Sequence, residues 1–263
     1  MRTIPIDLKI EARDDTTQRT IEISAVAGAR FSLRDTQLMR KQLDDAIARD
    51  GYYSSATRTN PSIFRIGRYL LTQEPQIEVQ GSRTSGEAEV VAIRDGRELF
   101  ITVGSDHCDR EIDPLFPDKP KQMCPHPIAS TAWPYAEVKD HWDQLHICSH
   151  VEINGHSVAL QDSTIDTQVH LETLLAMDEV KQLPEKHVLY CGSVTYMVDA
   201  IAKTVREKSL PPETAQGCGD QFKMRLHDPV LNRTIEHAYQ PVPLGDDLHE
   251  RSQITAPQKP DRR

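Results

Sequence analysis

The segment LHICSHVEINGHSVALQ, residues 145–161, limits this chain more than any other stretch. Two runs in which apolar and polar residues alternate are joined by Asn154-Gly155. Alternation with a period of two gives a strand one apolar face. An Asn-Gly pair accepts the left-handed backbone that a two-residue hairpin turn requires. This stretch is therefore an antiparallel hairpin, and the same grammar recurs along the chain. IDLKIEA and RTIEISA alternate around the polar RDDTTQ and predict an N-terminal hairpin. EAEVVAI and ELFITVG flank Asp95-Gly96, a second hairpin pair. IEVQG is a further strand, KHVLYCGSV is a buried strand running into a glycine turn, and DQFKMRLHDPVLNRTIEHAYQPV is a closing hairpin.

Helical patterning is sparse. SLRDTQLMRKQLDDAIARDG places Leu38, Met39, Leu43, Ala46 and Ile47 on one stripe, with Ser32 as N-cap and Gly51 as terminator. DTQVHLETLLAMDEVKQ predicts a short helix, and YYSSATRTNPS a polar loop. The Pro-rich DPLFPDKPKQMCPHP either crosses the surface or lines a site. The reading is a β-rich α+β protein in three parts. Residues 1–60 form a hairpin and helix, residues 61–244 the core, and residues 245–263 a polar, disordered tail.

Bulk properties narrow the function. A net charge of −9 argues against a broad nucleic-acid footprint. No apolar run is long enough to span a bilayer, and the N-terminus lacks the apolar segment of a secretory signal. The five cysteines (Cys108, Cys124, Cys148, Cys191 and Cys218) are scattered, odd in number and free of any C-x-x-C pair. That pattern disfavours a disulfide framework and points to a reducing cytoplasm.

The chemistry begins at Glu87 and Glu89. Two residues apart on a strand, they share a face where apolar side chains would normally start. Alone, the pair reads as a solvated strand end rather than a site. The following strand ends in GSDHCDRE, whose Asp106 lies at the same open end of the ribbon, with His107, Asp109 and Glu111 beside it. Clustered, partly buried carboxylates either keep protons or bind a cation. An all-oxygen set suits Mg²⁺ or Mn²⁺. Zinc is disfavoured, because His107 is the one soft ligand nearby.

TSGEAEVVAIRDGRELFITVGSDHCDRE resembles the core of the fumarylacetoacetate hydrolase (FAH) superfamily, in which an E-x-E strand precedes a strand ending in Asn-Asp-x-Ser-Ala-Arg-Asp. KPKQMCPHPIASTAW, the hairpin VEINGHSVALQ and YCGSVTYMVDA, which resembles a family turn, are similar to later family segments in the same order, so the resemblance runs from about residue 62 to 240. The form most resembles an FAH-like branch with little functional characterisation. The resemblance implies an FAH-type mixed β-sandwich and β-roll core with a lid-like N-terminal segment. It implies Glu87, Glu89 and Asp106 as metal ligands and Lys121 as the active-site lysine, with Lys119 as the alternative. It further implies Ser193 as a substrate contact, Arg110 as substrate-binding or structural, and a homodimer.

Departures from the family pattern bear on the reaction. His107 and Cys108 replace an apolar or aromatic residue and Ser, and Asp109 replaces Ala. Gly192-Ser193-Val194 stands where the family has a Gly-Thr-Pro turn. Residues 30–50 hold no His to match the family's lid His and Glu; Asp44 and Asp45 are the acidic pair within the expected helix. His107 is then a substitute general base, or a structural histidine at a strand end.

The implied function is metal-dependent chemistry on a 2-oxo or 1,3-diketo acid through a stabilised enolate. C–C bond hydrolysis, as in acylpyruvases and fumarylacetoacetases, comes first; decarboxylation, hydration and isomerisation are alternatives. A different class of reading is a non-catalytic scaffold that binds a small acid. Other motifs read as structure: His141-Trp142-Asp143 as a turn, Cys191 as core. No G-x-S-x-G elbow, P-loop or dinucleotide fingerprint is present.

Overall fold

A computed structural model of the chain describes residues 2–41, 44, 61–113 and 119–245. The second half of the expected helix, nearly all of the polar loop and all but the first residue of the tail fall outside these residues. The strands, in chain order, are β1 (Ile4–Glu11), β2 (Thr16–Ile23), β3 (Ala25–Arg30), β4 (Ser62–Ile66), β5 (Leu71–Thr72) and β6 (Gln76–Val79). Next come β7 (Thr84–Ser85), β8 (Ala88–Asp95), β9 (Glu98–Ser105), β10 (Cys108–Asp109), β11 (His126–Pro127) and β12 (Thr131–Pro134). Last are β13 (His146–Ile153), β14 (His156–Thr164), β15 (Lys186–Ser193), β16 (Gln221–Asp228) and β17 (Arg233–Pro243). Helical residues are 36–41 and 44 (α1), Tyr135–Val138 (α2), Leu171–Ala176 (α3), Asp178–Lys181 (α4) and Val198–Glu207 (α5).

The strands form an eight-stranded sheet, β2-β1-β12-β9-β8-β15-β3-β4, and a five-stranded sheet, β14-β13-β16-β17-β6, with two short two-stranded pairs. The N-terminal β1–β2 hairpin and β3 hydrogen-bond directly into the large sheet, through β12 and β15 respectively. Asn154 and Gly155 have the expected positive φ, +51° and +74°; the β8–β9 turn falls one residue later than Asp95-Gly96, on Gly96-Arg97, with Gly96 at +63° and Asp95 paired to Glu98 as the last strand residue.

β8 and β9 are buried on both faces, which explains their near-continuous apolar run. Val90, Ala92, Ile101 and Val103 pack toward Ile147, Phe222 and Leu226 of the smaller sheet. Val91, Ile93 and Phe100 pack on the other side with Leu8, Ile21, Ile128 and Tyr190. Each such side chain, fully buried, contributes about 1.5–3 kcal/mol. The strand pair that carries the acidic residues is thus held from both sides.

Three local expectations are corrected. Ser32 does not cap α1; it is buried, and its Oγ donates to Gln168 Oε1 at 2.8 Å. Asp35 caps the helix instead, accepting from the backbone of Gln37 and Leu38, each at 2.9 Å. The helix expected around residues 166–182 breaks at Met177, whose ψ of 142° separates α3 from α4. VDA, read as part of a turn, opens the ten-residue helix α5. Among the described residues no helix is long and apolar enough to cross a membrane.

Candidate metal centre

The β8–β9 ladder runs from the Asp95–Glu98 turn to Ala88↔Ser105 at its open end. One step further, the Asp106 backbone N–H donates to the Glu87 carbonyl at 2.9 Å. That bond brings the third carboxylate beside the first two. One oxygen from each of Glu87, Glu89 and Asp106 lies within 4.8 Å of the others. Glu89 and Asp106 are each 2% exposed; Glu87 is partly buried.

Two cations face this cluster. Lys121 Nζ stands 2.6 Å from Asp106 Oδ2 and 3.3 Å from Glu87 Oε2. Arg110 Nη1 holds Glu87 Oε1 at 2.8 Å, while its Nε donates to Ser85 Oγ. His126 Nε2 donates to the Lys121 carbonyl at 2.6 Å, and its Nδ1 stands 3.2 Å from Asp106 Oδ1. That last contact lacks hydrogen-bond alignment, so the buried Asp106 Oδ1 remains without a hydrogen-bond partner.

Burial raises every carboxyl in the cluster, and the neighbours decide the outcome. At Asp106, burial is outweighed by its neighbours, Lys121 foremost, and the group lies well below the usual carboxylate range. At Glu87, burial is outweighed by Lys121 and Arg110 acting together, and the group also lies below its ordinary value. Glu89 goes the other way. Burial, then Asp106 and Glu87, push it well above its ordinary value, with only a backbone N–H and the more distant Lys121 opposing. Burial acts to neutralise Lys121, but Asp106, Cys108 and Glu87 together outweigh it and raise the ammonium well above its ordinary value. Glu87 and Asp106 thus face two cations, while Glu89 has none of its own and is the carboxyl whose ionised form a further positive charge would favour most.

That is the test of fit for a divalent cation, and the residues pass it. The donors are all oxygen, Glu89 has no ion-pair partner among the described residues, and Asp106 Oδ1 is free to coordinate.

The backbone around the cluster is held tightly. The Gly192 N–H donates to Glu89 Oε2 at 2.8 Å. Gly192 has φ +94°, and a Cβ there would lie 1.8 Å from Ser32 Oγ, so only glycine aims this N–H at the carboxylate. The Glu87 N–H donates to Ser105 Oγ at 3.2 Å, and Ser105 Oγ lies 2.7 Å from Tyr239 Oη. His107 Nδ1 lies 2.8 Å from the same hydroxyl. Burial lowers His107 well below its ordinary value, so the ring is neutral, and its Nε2 has no partner among the described residues.

The structure thus joins Glu87, Glu89, Asp106, Lys121 and Arg110 in one network. Ser193 lies beside it, opposite Glu89 in the β15–β8 register. His107 is adjacent in sequence but is bonded to Tyr239, and no described hydrogen bond links it to the carboxylates. Lys119 lies at the N-cap of the short turn that carries Lys121, and Lys121 is the lysine that reaches the cluster. Sequence reasoning missed His126, the imidazole that does touch Asp106; its only signal was a place in the Pro-rich stretch. His141 pairs with the fully buried Asp228 at 2.9 Å, which makes the His-Trp-Asp motif a structural clasp.

Comparison with solved structures identifies the fold. A 5-carboxymethyl-2-hydroxymuconate delta-isomerase from Mycobacterium smegmatis superposes with TM-score 0.52 at 15% identity, covering 88% of both chains. A 2-keto-3-deoxyarabinonate dehydratase gives 0.53 at 14%, over 86% of this chain and 77% of that one. A protein assigned to the fumarylacetoacetate hydrolase family from Yersinia pestis CO92 gives 0.52 at 15%, over 84% and 94%. The fold is that of the FAH superfamily. No curated protein matches the chain. Residues 54–239, most of the sequence, match the model of one family, and the chain belongs to it: the family described as protein of unknown function, DUF2848.

Proposed function

We propose that this protein is a divalent-metal-dependent enzyme that acts on a 2-oxo or 1,3-diketo acid through an enolate, by C–C bond hydrolysis. The observation that carries the reading is the buried Glu87–Glu89–Asp106 cluster with Lys121 beside it. Two buried carboxylates and a third partly buried beside them are costly to a fold that does not use them. Glu87, Glu89 and Asp106 would hold Mg²⁺ or Mn²⁺, which when bound supplies Lewis-acid stabilisation of a developing oxyanion.

The chain's own groups do the rest. Lys121, kept charged by Asp106, presents an ammonium to the substrate oxygen on which negative charge grows. Arg110 neutralises Glu87 and fixes its carboxylate plane. Ser193, beside Glu89, is the hydroxyl offered to the substrate carboxylate. His107 is the proposed base. With Nδ1 committed to Tyr239, it accepts a proton at Nε2.

The isomerase and dehydratase among the structural neighbours support enolate chemistry on this fold, and they keep isomerisation, hydration and decarboxylation as the competing outcomes. The test is a screen of acylpyruvates, oxaloacetate and 2-oxo-4-enoates with Mn²⁺. Pyruvate released without CO₂ supports hydrolysis; CO₂ release replaces it with decarboxylation. No turnover, with Mn²⁺ leaving Tm unchanged, would favour the non-catalytic scaffold. The proposal includes a homodimer, which sedimentation equilibrium checks.

A further inference from the structure

Gln161 lies on β14, in the smaller sheet, yet three of its carboxamide's four hydrogen bonds reach the backbone beside the candidate metal centre. The residue is fully buried. Its Oε1 accepts from the Ala88 N–H at 2.8 Å and from Ser149 Oγ at 2.6 Å. Its Nε2 donates to the Ala88 carbonyl at 3.2 Å and to the Val194 carbonyl at 3.1 Å. Those four bonds exhaust what a glutamine can make. The backbone groups also fix which end of the amide is oxygen, since an N–H must meet an acceptor and each carbonyl a donor.

The targets matter more than the number. Ala88 is the residue between Glu87 and Glu89. β15 pairs with β8 regularly as far as Tyr190↔Val91, then shifts register and resumes only at Ser193↔Glu89. Ala88 therefore has β9 on one side, through Ser105, and on the other no ladder partner among the described residues. The Gln161 carboxamide fills that place with one donor and one acceptor, as a neighbouring strand would. Its remaining donor grips Val194, which follows the Gly192-Ser193 turn whose first N–H holds Glu89.

We propose that Gln161 is a positioning residue for the metal centre. From across the sandwich it sets the peptide planes between the two glutamates and locks them to the strand end that orients Glu89. Ser149, opposite Gln161 in the β13–β14 register, holds the carboxamide in turn. The inference rests on the metal-centre reading.

The test compares Gln161→Met, which keeps the length and loses all four bonds, with Leu226→Ala, a fully buried core change in the same sandwich. Ser149→Ala is the milder variant should Gln161→Met fail to fold. Mn²⁺ affinity is measured by the EPR signal of free Mn²⁺. Amide hydrogen exchange is followed by NMR in metal-free protein. Gln161→Met is expected to weaken Mn²⁺ binding at least about tenfold, and Ser149→Ala to weaken it by a smaller factor. Both should speed exchange at Gly192, an amide that Gln161 does not touch. Leu226→Ala should change neither, whatever its loss of Tm. Mn²⁺ affinity within twofold of wild type in Gln161→Met, or an equal loss in Leu226→Ala, overturns the proposal. If the wild-type protein binds no Mn²⁺, the metal reading falls and the exchange arm decides alone. Selective loss of Gly192 protection then supports the positioning role, and unchanged protection overturns it.

Discussion

Replacing Glu89 by Gln should stabilise the metal-free protein and abolish its response to metal. The amide has nearly the shape of a protonated carboxyl and can still accept the Gly192 N–H. In wild type, burial together with Asp106 and Glu87 raises Glu89 well above its ordinary value of 4.5. A raised carboxyl binds its proton more tightly folded than unfolded. Its stabilising contribution is therefore complete below the ordinary value and is lost as pH rises through the raised one. Within that window wild type loses about 1.36 kcal/mol per pH unit relative to Glu89→Gln. For a chain of this size, that is a Tm difference growing by about 2–3 °C per pH unit. Mn²⁺ reverses the order. Binding must expel the Glu89 proton, so wild-type affinity rises about tenfold per pH unit across the same window. At a hundred times its Kd, the metal adds about 2.7 kcal/mol to wild type and nothing to the variant. Thermal melts from pH 5 to 9, with EDTA or Mn²⁺, measure both effects. A Tm difference that does not change with pH, or an equal Mn²⁺ gain in both proteins, refutes the reasoning.

Lys121→Met leaves Asp106 buried without its cation, and should cost about 3–5 kcal/mol in urea unfolding. Gly192→Ala forces a side chain into a left-handed position against Ser32; it should cost at least about 1–3 kcal/mol and weaken Mn²⁺ binding by turning the N–H away from Glu89. Once a substrate is found, His107→Phe should lower kcat by about 10²–10⁴ while leaving Mn²⁺ affinity unchanged, and a kcat within a few-fold of wild type removes His107 as the base.

The sequence made legible whatever depends on near neighbours. Asn154-Gly155 and Asp95-Gly96 specified two hairpins, because the positive φ they tolerate is a local property. The two-residue spacing of Glu87 and Glu89 put both on one face, and the hairpin brought Asp106 to the same end. Contacts that cross the fold were hidden. Nothing in the Pro-rich stretch marked His126 as the imidazole that would reach Asp106. Gln161 sat in a quoted motif, but its bond to Ala88 spans 73 residues and depends on a register shift in a third strand. Ser32 looked like a cap because Ser commonly is one. It lost that role to Asp35 because Gly192 and Gln168, both far away in sequence, claim its position. The start of α5 was read as a turn, since the Gly192-Ser193 turn lies just before it and α5 buries little beyond Ile201 and Val205.

The central claim is that one divalent cation is shared by Glu87, Glu89 and Asp106. Crystals grown with Mn²⁺, measured at wavelengths on either side of the manganese absorption edge, test it most directly. The account predicts one anomalous peak within coordination distance of an oxygen from each of the three carboxylates, lost in Glu89→Gln. An empty cluster at saturating Mn²⁺, or a peak held by other residues, would contradict it.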